Sequence, residues 1–279
     1  MMTTDAASEE LSQPQSRWFS ANPSKAWTEK FFLIYSPIWM LQMGVVMVTG
    51  LSHRIGDVGF LLIGTSVAAP LIVIPALFSS DARAGVPWTG AYWFKANLYI
   101  GIFNFVGNYF LSEYFFDVLG MIYKYPTITL NFDSALLGSG EQKVPVLMFL
   151  LTQAYFMTYH TSAVVVLRRL RTSGLPLGRI GWWVAVFAIG YAWAWAETRA
   201  MANPLIAEQF SYKDLGRMLA YGSIFYACYF IPSFPIFFSL DEERSWSLRE
   251  TCFAALAASM IVFILLDFCT KLIGLQPVV

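Results

Sequence analysis

The chain has 279 residues, of which 57% are hydrophobic and only 13% are charged, and its mean hydropathy is +0.55. Soluble domains carry about 25% charged residues, so this composition excludes an ordinary soluble protein. The formal net charge of zero gives no reason to expect a nucleic-acid partner. Apolar runs of about 20 residues recur along the chain and predict an all-α, polytopic membrane bundle.

The predicted elements follow one another without an internal repeat. Residues 1–16 are polar and acidic, and we predict a disordered N-terminal tail followed by a single transmembrane helical domain over residues 17–279. The longest predicted loop, at about 120–144, contains a β-like stretch at 127–132 and is expected to cap a cavity from the membrane face. Apolar runs predict about seven transmembrane helices, at 31–51, 59–79, 93–118, 145–167, 180–202, 215–239 and 251–273.

Seven spans place the two ends of the chain on opposite sides of the membrane. Lys and Arg are in excess on the N-terminal side, largely because of Arg168, Arg169 and Arg171, so the N-terminus is predicted to be cytoplasmic. We therefore predict a multi-pass integral membrane protein, located in the endoplasmic reticulum of a eukaryote or the inner membrane of a bacterium.

Motifs for common cofactors are missing from the sequence. Cys228, Cys252 and Cys269 lie in apolar runs without metal or redox spacing. His53 and His160 are too few for a His-rich di-iron membrane enzyme. No zinc-protease motif, phosphate loop or dinucleotide fingerprint is present. The sequence therefore predicts neither a metal site nor a bound cofactor.

The predicted span at 93–118 is too polar and too aromatic for a simple membrane anchor. At 100° per residue, Asn97, Asn104 and Asn108 form a continuous polar stripe, and Glu113 lies roughly opposite. Such a stripe suits hydrogen bonding between helices or the lining of a pocket. The residues alone leave both alternatives open.

Other ionisable residues also lie inside predicted spans. Glu113, Glu197 and Asp267 fall at similar depth in the outer half of the membrane, whereas His160 falls in the inner half. Each has a structural alternative: Glu113 and Asp267 as residues near the interface, His160 bonded to a backbone carbonyl, and Glu197 paired with a nearby arginine. From the residues alone, a transporter, a receptor and a lipid enzyme all fit.

Six long strings, in order, resemble the cycloeucalenol cycloisomerase family, also called cyclopropyl sterol isomerases. The resemblance runs from about residue 16 to residue 272, nearly the whole chain. The strings are NPSKAWTEKFFLIYSPIWM at 22–40, YWFKANLYI at 92–100, FVGNYFLSEYFF at 105–116, YHTSAVVVLRRLR at 159–171, AETRA at 196–200 and FYACYFIPSFPIFFSLDE at 225–242.

The resemblance implies an isomerase of sterol biosynthesis. Its reaction opens the 9β,19-cyclopropane ring of cycloeucalenol to give obtusifoliol, a Δ8 sterol, without a cofactor or a redox change. The implied partner is a cyclopropyl sterol within the lipid bilayer, and neither nucleic acid nor an obligate protein partner is expected. The alternatives are a sterol-binding or transport protein on the same scaffold and a sterol isomerase that shifts double bonds.

Ring opening adds a proton at C19, creates cationic character at C9 and removes a proton from C8. A carboxyl group buried in an apolar pocket stays protonated near neutral pH, so Glu197 is the predicted acid. Asp267 and Glu113 are second choices, and His160 is the predicted base or orienting group. The predicted substrate-binding residues combine the asparagine stripe with aromatic side chains that can stabilise a cation: Asn97, Asn104, Asn108, Tyr109, Trp193, Tyr226 and Tyr229.

Overall fold

The structure is a computed structural model that describes residues 16–79, 82 and 85–274. The first 15 residues of the predicted tail lie outside the described residues. The prediction of a helical fold is confirmed. Within the described residues the chain forms eight α-helices: α1 Pro23–Val48, α2 Asp57–Ala68, α3 Pro70–Phe78, α4 Tyr92–Val106, α5 Val146–Arg171, α6 Gly178–Met201, α7 Leu215–Ser239 and α8 Leu248–Leu272.

Side chains at the N-termini explain where three of the helices begin. The side chain of Asn22 accepts hydrogen bonds from two backbone N–H groups in the first turn of α1. Asp214 caps α7 in the same manner. Ser247 and Glu250 form a reciprocal capping box at the start of α8. These caps satisfy backbone donors that would otherwise have no partner.

The predicted spans correspond to long helical segments, with α2 and α3 together forming the second one. Proline lacks the N–H group that would continue a helical ladder, and Pro70 marks the boundary between α2 and α3. By length and composition, four segments in the described part of the chain can cross a membrane: Pro23–Val48, Asp57–Phe78, Leu215–Ser239 and Leu248–Leu272. Crossing by the remaining three predicted spans stays a prediction.

Helix α4 continues beyond Val106 as two wider π-helical turns, Gly107–Leu111 and Tyr114–Val118. A π turn joins residues five apart, and such turns are frequent at functional sites. The predicted span at 93–118 is therefore a continuous helical segment. Face assignments at 100° per residue, however, do not hold after Val106.

A buried ionic cluster lies at the end of the bundle where the N-terminal segment meets the loop between α7 and α8. Arg168 is 1% exposed and bridges Glu29 and Glu242, with N–O distances of 2.6 and 2.7 Å. Lys25 adds an ion pair of 2.9 Å to Glu242. Burial alone would raise the pKa of Glu242, but hydrogen bonding to Arg168 and the two neighbouring cations lower it to about 2. Two cations thus face two carboxylates, and each buried charge is compensated.

A second buried ion pair holds the loop between α7 and α8 against α4. The Nζ atom of Lys95 lies 3.0 and 2.8 Å from the two carboxylate oxygens of Asp241 and 3.0 Å from Ser245 Oγ. Asp241 has φ +51°, and its Oδ1 also accepts a hydrogen bond of 2.7 Å from the backbone N–H of Trp246. Lys95 therefore has a structural partner near the N-terminal end of α4.

The opposite end of the bundle is closed by two loops, residues 119–145 and 202–214. Each loop contributes a three-residue strand, Met121–Tyr123 and Phe210–Tyr212, and the two strands pair antiparallel with Ile122 opposite Ser211. The two strands are almost 90 residues apart in sequence, and their pairing joins the two loops at this end of the bundle.

The prediction of a β-like stretch at 127–132 is wrong, because these residues do not form a strand. In the described structure its backbone pairing is limited to an isolated bridge between Asn131 and Pro145. The side chain of Asp57 accepts hydrogen bonds from both the N–H and the hydroxyl of Thr129, at 3.0 and 2.6 Å. A carboxylate thus occupies the donors that a neighbouring strand would need.

Candidate active site

A cavity lies between the helices beside the loop-covered end. Its volume is about 220 Å³. Its walls come from α1, the π-helical extension of α4, α5, α6, α7 and both loops. The long loop contributes Met121 and Tyr123, in line with its predicted capping position. Most lining side chains are apolar or aromatic, which suits a largely apolar ligand.

Glu197 of α6 presents a carboxyl group to this cavity. The residue is 7% exposed, and the Tyr159 hydroxyl of α5 donates a hydrogen bond to its Oε2. The nearby Arg199, considered above as an ionic partner, lies instead over the ring of Trp195, 5.8 Å from the ring centroid. The carboxyl group is therefore held by a neutral donor and shielded from water.

Tyrosines from three elements line the cavity together with Glu197. Ring packing continues outward from them: Phe115 of the α4 extension lies 4.7 Å from the ring of Tyr226. Aromatic ring faces are negative and attract cations, so these walls are suited to a positive charge on a ligand. The tyrosines that line the cavity with Glu197 are Tyr123, Tyr155, Tyr159, Tyr226 and Tyr229.

The asparagine stripe divides between two environments. Asn97 Nδ2 donates to the backbone carbonyl of Leu71 at 2.9 Å, and Asn104 Nδ2 donates to that of Phe149 at 2.7 Å. Both side chains therefore bond to neighbouring helices. Asn108 lies in the first π turn and lines the cavity.

His160 is fully buried and is not part of the cavity wall. Its Nδ1 lies 2.8 Å from the backbone oxygen of Phe156, and its Nε2 lies 3.0 Å from Ser233 Oγ. Sequence reasoning separated His160 from Glu197 by depth, and this reason is wrong. The adjacent Tyr159 hydrogen-bonds to Glu197, so this part of α5 lies at the same depth as Glu197. His160 is kept away from Glu197 because its side chain projects from a different face of α5.

The other two candidate carboxyl groups lie away from the cavity lining. Asp267 is partly exposed on α8, where its carboxylate pairs with Lys271 at 2.9 Å, one turn further on. Glu113 lies between the two π turns, is 5% exposed and packs against Gly138 of the long loop. Its Oε2 has no hydrogen-bond partner among the described residues.

The predicted aromatic binding residues occupy three positions. Tyr226 and Tyr229 line the cavity. Trp193 lies one layer behind, with its ring centroid 4.7 Å from that of Tyr159. Tyr109 packs against phenylalanines of α4 and of the long loop.

Sequence reasoning missed the cavity-lining residues of α5. Thr152, Tyr155 and Tyr159 all line the cavity. Their spacing of three and four residues places hydroxyl groups on one helical face, and this signal was present in the sequence. Tyr123 carried no comparable signal, because a loop residue has no helical spacing.

The contact between Glu113 and the long loop can be tested at Gly138. An alanine Cβ there would overlap the Glu113 carboxyl group, and Gly138 has φ +81°. Gly140 in the same loop has φ +71°, with nothing within 4 Å of a Cβ. Both alanine variants should lose about 1–2 kcal/mol for the left-handed backbone, and Gly138→Ala should lose about 1–3 kcal/mol more for overlap. Thermal unfolding of both variants in the same detergent would measure the two losses of stability. Equal losses for the Gly138 and Gly140 variants would contradict the contact between Glu113 and Gly138.

The fold and the cavity define a class: a helical membrane protein in which the Glu197 carboxyl group faces a largely apolar cavity. The chain is 38% identical over 273 residues to "Cycloeucalenol cycloisomerase" from Arabidopsis thaliana, with 94% of this chain and 91% of that protein covered. The chain belongs to the cycloeucalenol cycloisomerase family and is an isomerase, so both predictions are confirmed. No protein-family model and no solved structure matches the chain.

Proposed function

We propose that this chain opens the 9β,19-cyclopropane ring of cycloeucalenol-type sterols and yields a Δ8 sterol such as obtusifoliol. The observation that carries the proposal is the environment of Glu197, a buried carboxyl group that accepts a hydrogen bond from Tyr159 and faces an apolar, aromatic cavity. The relative's name identifies cycloeucalenol as the molecule on which that protein acts. A sterol skeleton, apolar except for one hydroxyl group, matches walls of this kind.

The proposed reaction adds one proton and removes another. Glu197 transfers its carboxyl proton to C19, and the electron pair of the breaking C9–C19 bond forms the new C19–H bond. C9 then carries positive charge. The carboxylate removes the C8 proton, and the C8–H electron pair forms the C8=C9 double bond. Because the C19 bridge and the C8 hydrogen lie on the same β face of the sterol, one carboxyl group serves both steps and is regenerated.

Aromatic rings would stabilise the cation at C9. Phe115, Phe156, Tyr226 and Tyr229 line the cavity, and the ring centroids of Phe115 and Tyr229 lie 6.0 Å apart. Ring faces attract positive charge electrostatically and do not form a covalent bond with it as a carboxylate or thiolate would. The cation can therefore persist long enough to lose its C8 proton.

Tyr159 and His160 have different parts in the proposal. The Tyr159 hydroxyl bonds to Oε2 of Glu197, which leaves Oε1 to face the substrate. His160 is assigned no proton transfer, because both of its ring nitrogens are within hydrogen-bond distance of protein atoms and it lies outside the cavity lining.

We also propose seven membrane crossings with the N-terminus in the cytoplasm. Helix α5 begins at the loop-covered end and reaches the ionic cluster through Arg168, so it extends over the same thickness as its neighbours. The basic residues at the end of α5 favour a cytoplasmic location for that end of the bundle. Helix α6 carries an exposed apolar stripe along most of its length, suited to lipid contact: Ile180, Trp183, Val184, Phe187, Tyr191 and Trp195.

Purified protein incubated with cycloeucalenol in deuterated water would test the function. We expect a Δ8 product whose new methyl group carries deuterium, detected by mass spectrometry. Partial labelling over many turnovers would indicate that the C8 proton returns to C19 through Glu197. An intact cyclopropane ring, with or without a shifted double bond, would overturn the proposal when the same preparation is folded and binds the sterol.

A further inference from the structure

A series of hydrogen bonds ends at the cavity on the hydroxyl of Tyr155. Asn108 Nδ2 donates to Asn104 Oδ1 at 2.6 Å and to Thr152 Oγ1 at 2.9 Å. Thr152 Oγ1 in turn donates to Tyr155 Oη at 2.8 Å. Asn108, Thr152 and Tyr155 all line the cavity, whereas Asn104 lies behind them.

Two backbone carbonyl groups determine the direction of this series. The carbonyl of Phe149 accepts from Asn104 Nδ2 at 2.7 Å, so Asn104 turns its Oδ1 toward Asn108. The carbonyl of Asn104 lies 3.3 Å from Asn108 Nδ2, which identifies that atom as the amide nitrogen. An amide nitrogen donates and cannot accept. Thr152 must therefore accept from Asn108 and donate its own proton to Tyr155.

Tyr155 is left with a hydroxyl proton that has no acceptor in the described part of the chain. Its ring is held by neighbours on α5, with centroids 5.1 Å from Phe156 and 5.7 Å from Tyr159. A hydroxyl group that already accepts a hydrogen bond is polarised and becomes a better donor. Tyr155 thus presents an oriented donor to the ligand cavity.

Other tyrosine hydroxyls at the cavity are less constrained. Tyr123, Tyr226 and Tyr229 line it, but none of their hydroxyl groups is hydrogen-bonded to a described residue. Ordering a freely rotating group costs entropy when a ligand binds, whereas a group that is already oriented avoids most of that cost. Tyr155 is therefore the best-prepared donor for a ligand oxygen.

We propose that Tyr155 donates its hydrogen bond to the oxygen on C3 of the sterol and so positions the ring system relative to Glu197. This inference rests on the proposed function. The rings of Tyr155 and Tyr159, one helical turn apart on α5, have centroids 5.7 Å from each other, and Tyr159 holds the Glu197 carboxyl group. In the sterol, the C3 oxygen and C19 are attached at opposite corners of one six-membered ring, a comparable separation. The two contacts together align C19 with the acid.

Three substrates that differ only at C3 would distinguish a hydrogen bond to the C3 oxygen from general packing of Tyr155 against the sterol. The wild-type protein should use the 3-hydroxy sterol and the 3-keto analogue with similar KM, because both oxygens accept a hydrogen bond. The 3-deoxy analogue should have a KM about five- to tenfold higher, the usual effect of losing one neutral hydrogen bond. Tyr155→Phe should raise the KM of the 3-hydroxy sterol by the same factor and leave that of the 3-deoxy analogue unchanged.

Variants at two further positions test the hydrogen-bond series itself. Thr152→Val keeps the side-chain shape but loses the bond to Tyr155, so we expect a smaller rise in KM that is again limited to substrates with a C3 oxygen. Thr152→Ser keeps the hydroxyl group and should restore the wild-type preference. Tyr229→Phe is the matched control, because any effect should be equal for the 3-hydroxy and 3-deoxy substrates.

The results that would overturn the inference are distinct from those that would overturn the function. If Tyr155→Phe changes the KM of all three substrates equally, Tyr155 acts only through packing. If wild-type protein uses the 3-keto and 3-deoxy analogues equally poorly, Tyr155 is not a donor to C3 oxygen. If wild-type protein opens no cyclopropyl sterol, the proposed function itself fails, whatever Tyr155 does.

Discussion

Turnover by the Glu197→Gln variant is expected to fall by about 10³-fold or more, because the amide has no acidic proton to place on C19. Glutamine has nearly the same size as glutamate, and its side-chain oxygen can still accept the hydrogen bond from Tyr159. The variant should therefore fold and bind the sterol. Product formation by the purified protein and sterol binding, measured side by side, would separate loss of chemistry from loss of structure.

Asp267→Asn is the matched control for the assignment of the acid. Asp267 pairs with Lys271 on α8 away from the cavity lining, so this change should leave turnover near that of the wild type. An inactive Asp267→Asn protein beside an active Glu197→Gln protein would transfer the acid role to Asp267. Near-normal activity in both variants would leave Glu113 as the carboxyl group to test.

The largest loss of stability is expected from Arg168→Met. Arg168 donates to Glu29, Glu242 and the backbone oxygen of Trp18, all at 2.6–2.9 Å. Without the guanidinium group, two buried carboxylates share the single positive charge of Lys25. Breaking a buried ion pair from one side costs about 3–5 kcal/mol, and we expect a loss of unfolding free energy in that range.

Arg171→Met is the control for that prediction. Arg171 pairs with Glu243 at 2.9 Å, but both side chains are at least half exposed, so the loss should be about 1 kcal/mol or less. Adding Glu29→Gln to Arg168→Met should recover part of the lost stability, because it removes one uncompensated charge. Thermal unfolding in the same detergent provides the comparison. Equal melting temperatures for the two single variants would show that the cluster is not stabilising.

Helix positions were predictable because a bilayer leaves few alternatives to the helix. An apolar run must satisfy its backbone hydrogen bonds internally, so run length alone located α5 and α6 to within a few residues of their observed ends. The short strands were not predictable in this way. Pairing of Met121–Tyr123 with Phe210–Tyr212 depends on a partner far along the chain, whereas local composition favoured 127–132.

The candidate site was partly predictable. Glu197 could be selected because a carboxyl group among tryptophans in an apolar run is costly unless it has a function. The position of Asn108 relative to Glu113 could not be derived, since π turns change the angle per residue and leave no clear mark in the sequence. The isolation of His160 depends on Ser233 of α7, a neighbour that no local pattern identifies.

The two ends of the bundle place different demands on the sequence. Arg168 and its ionic partners hold the helices together at one end, whereas Met121, Tyr123 and Phe210 form cavity walls on loops at the other. Because these groups share no contacts, the effects of substitutions at the two ends on stability should add independently, and a change in the loops should alter the shape offered to a ligand without disturbing the ionic cluster. Such a protein can acquire a different substrate range one loop residue at a time, while its membrane-embedded frame remains under separate selection.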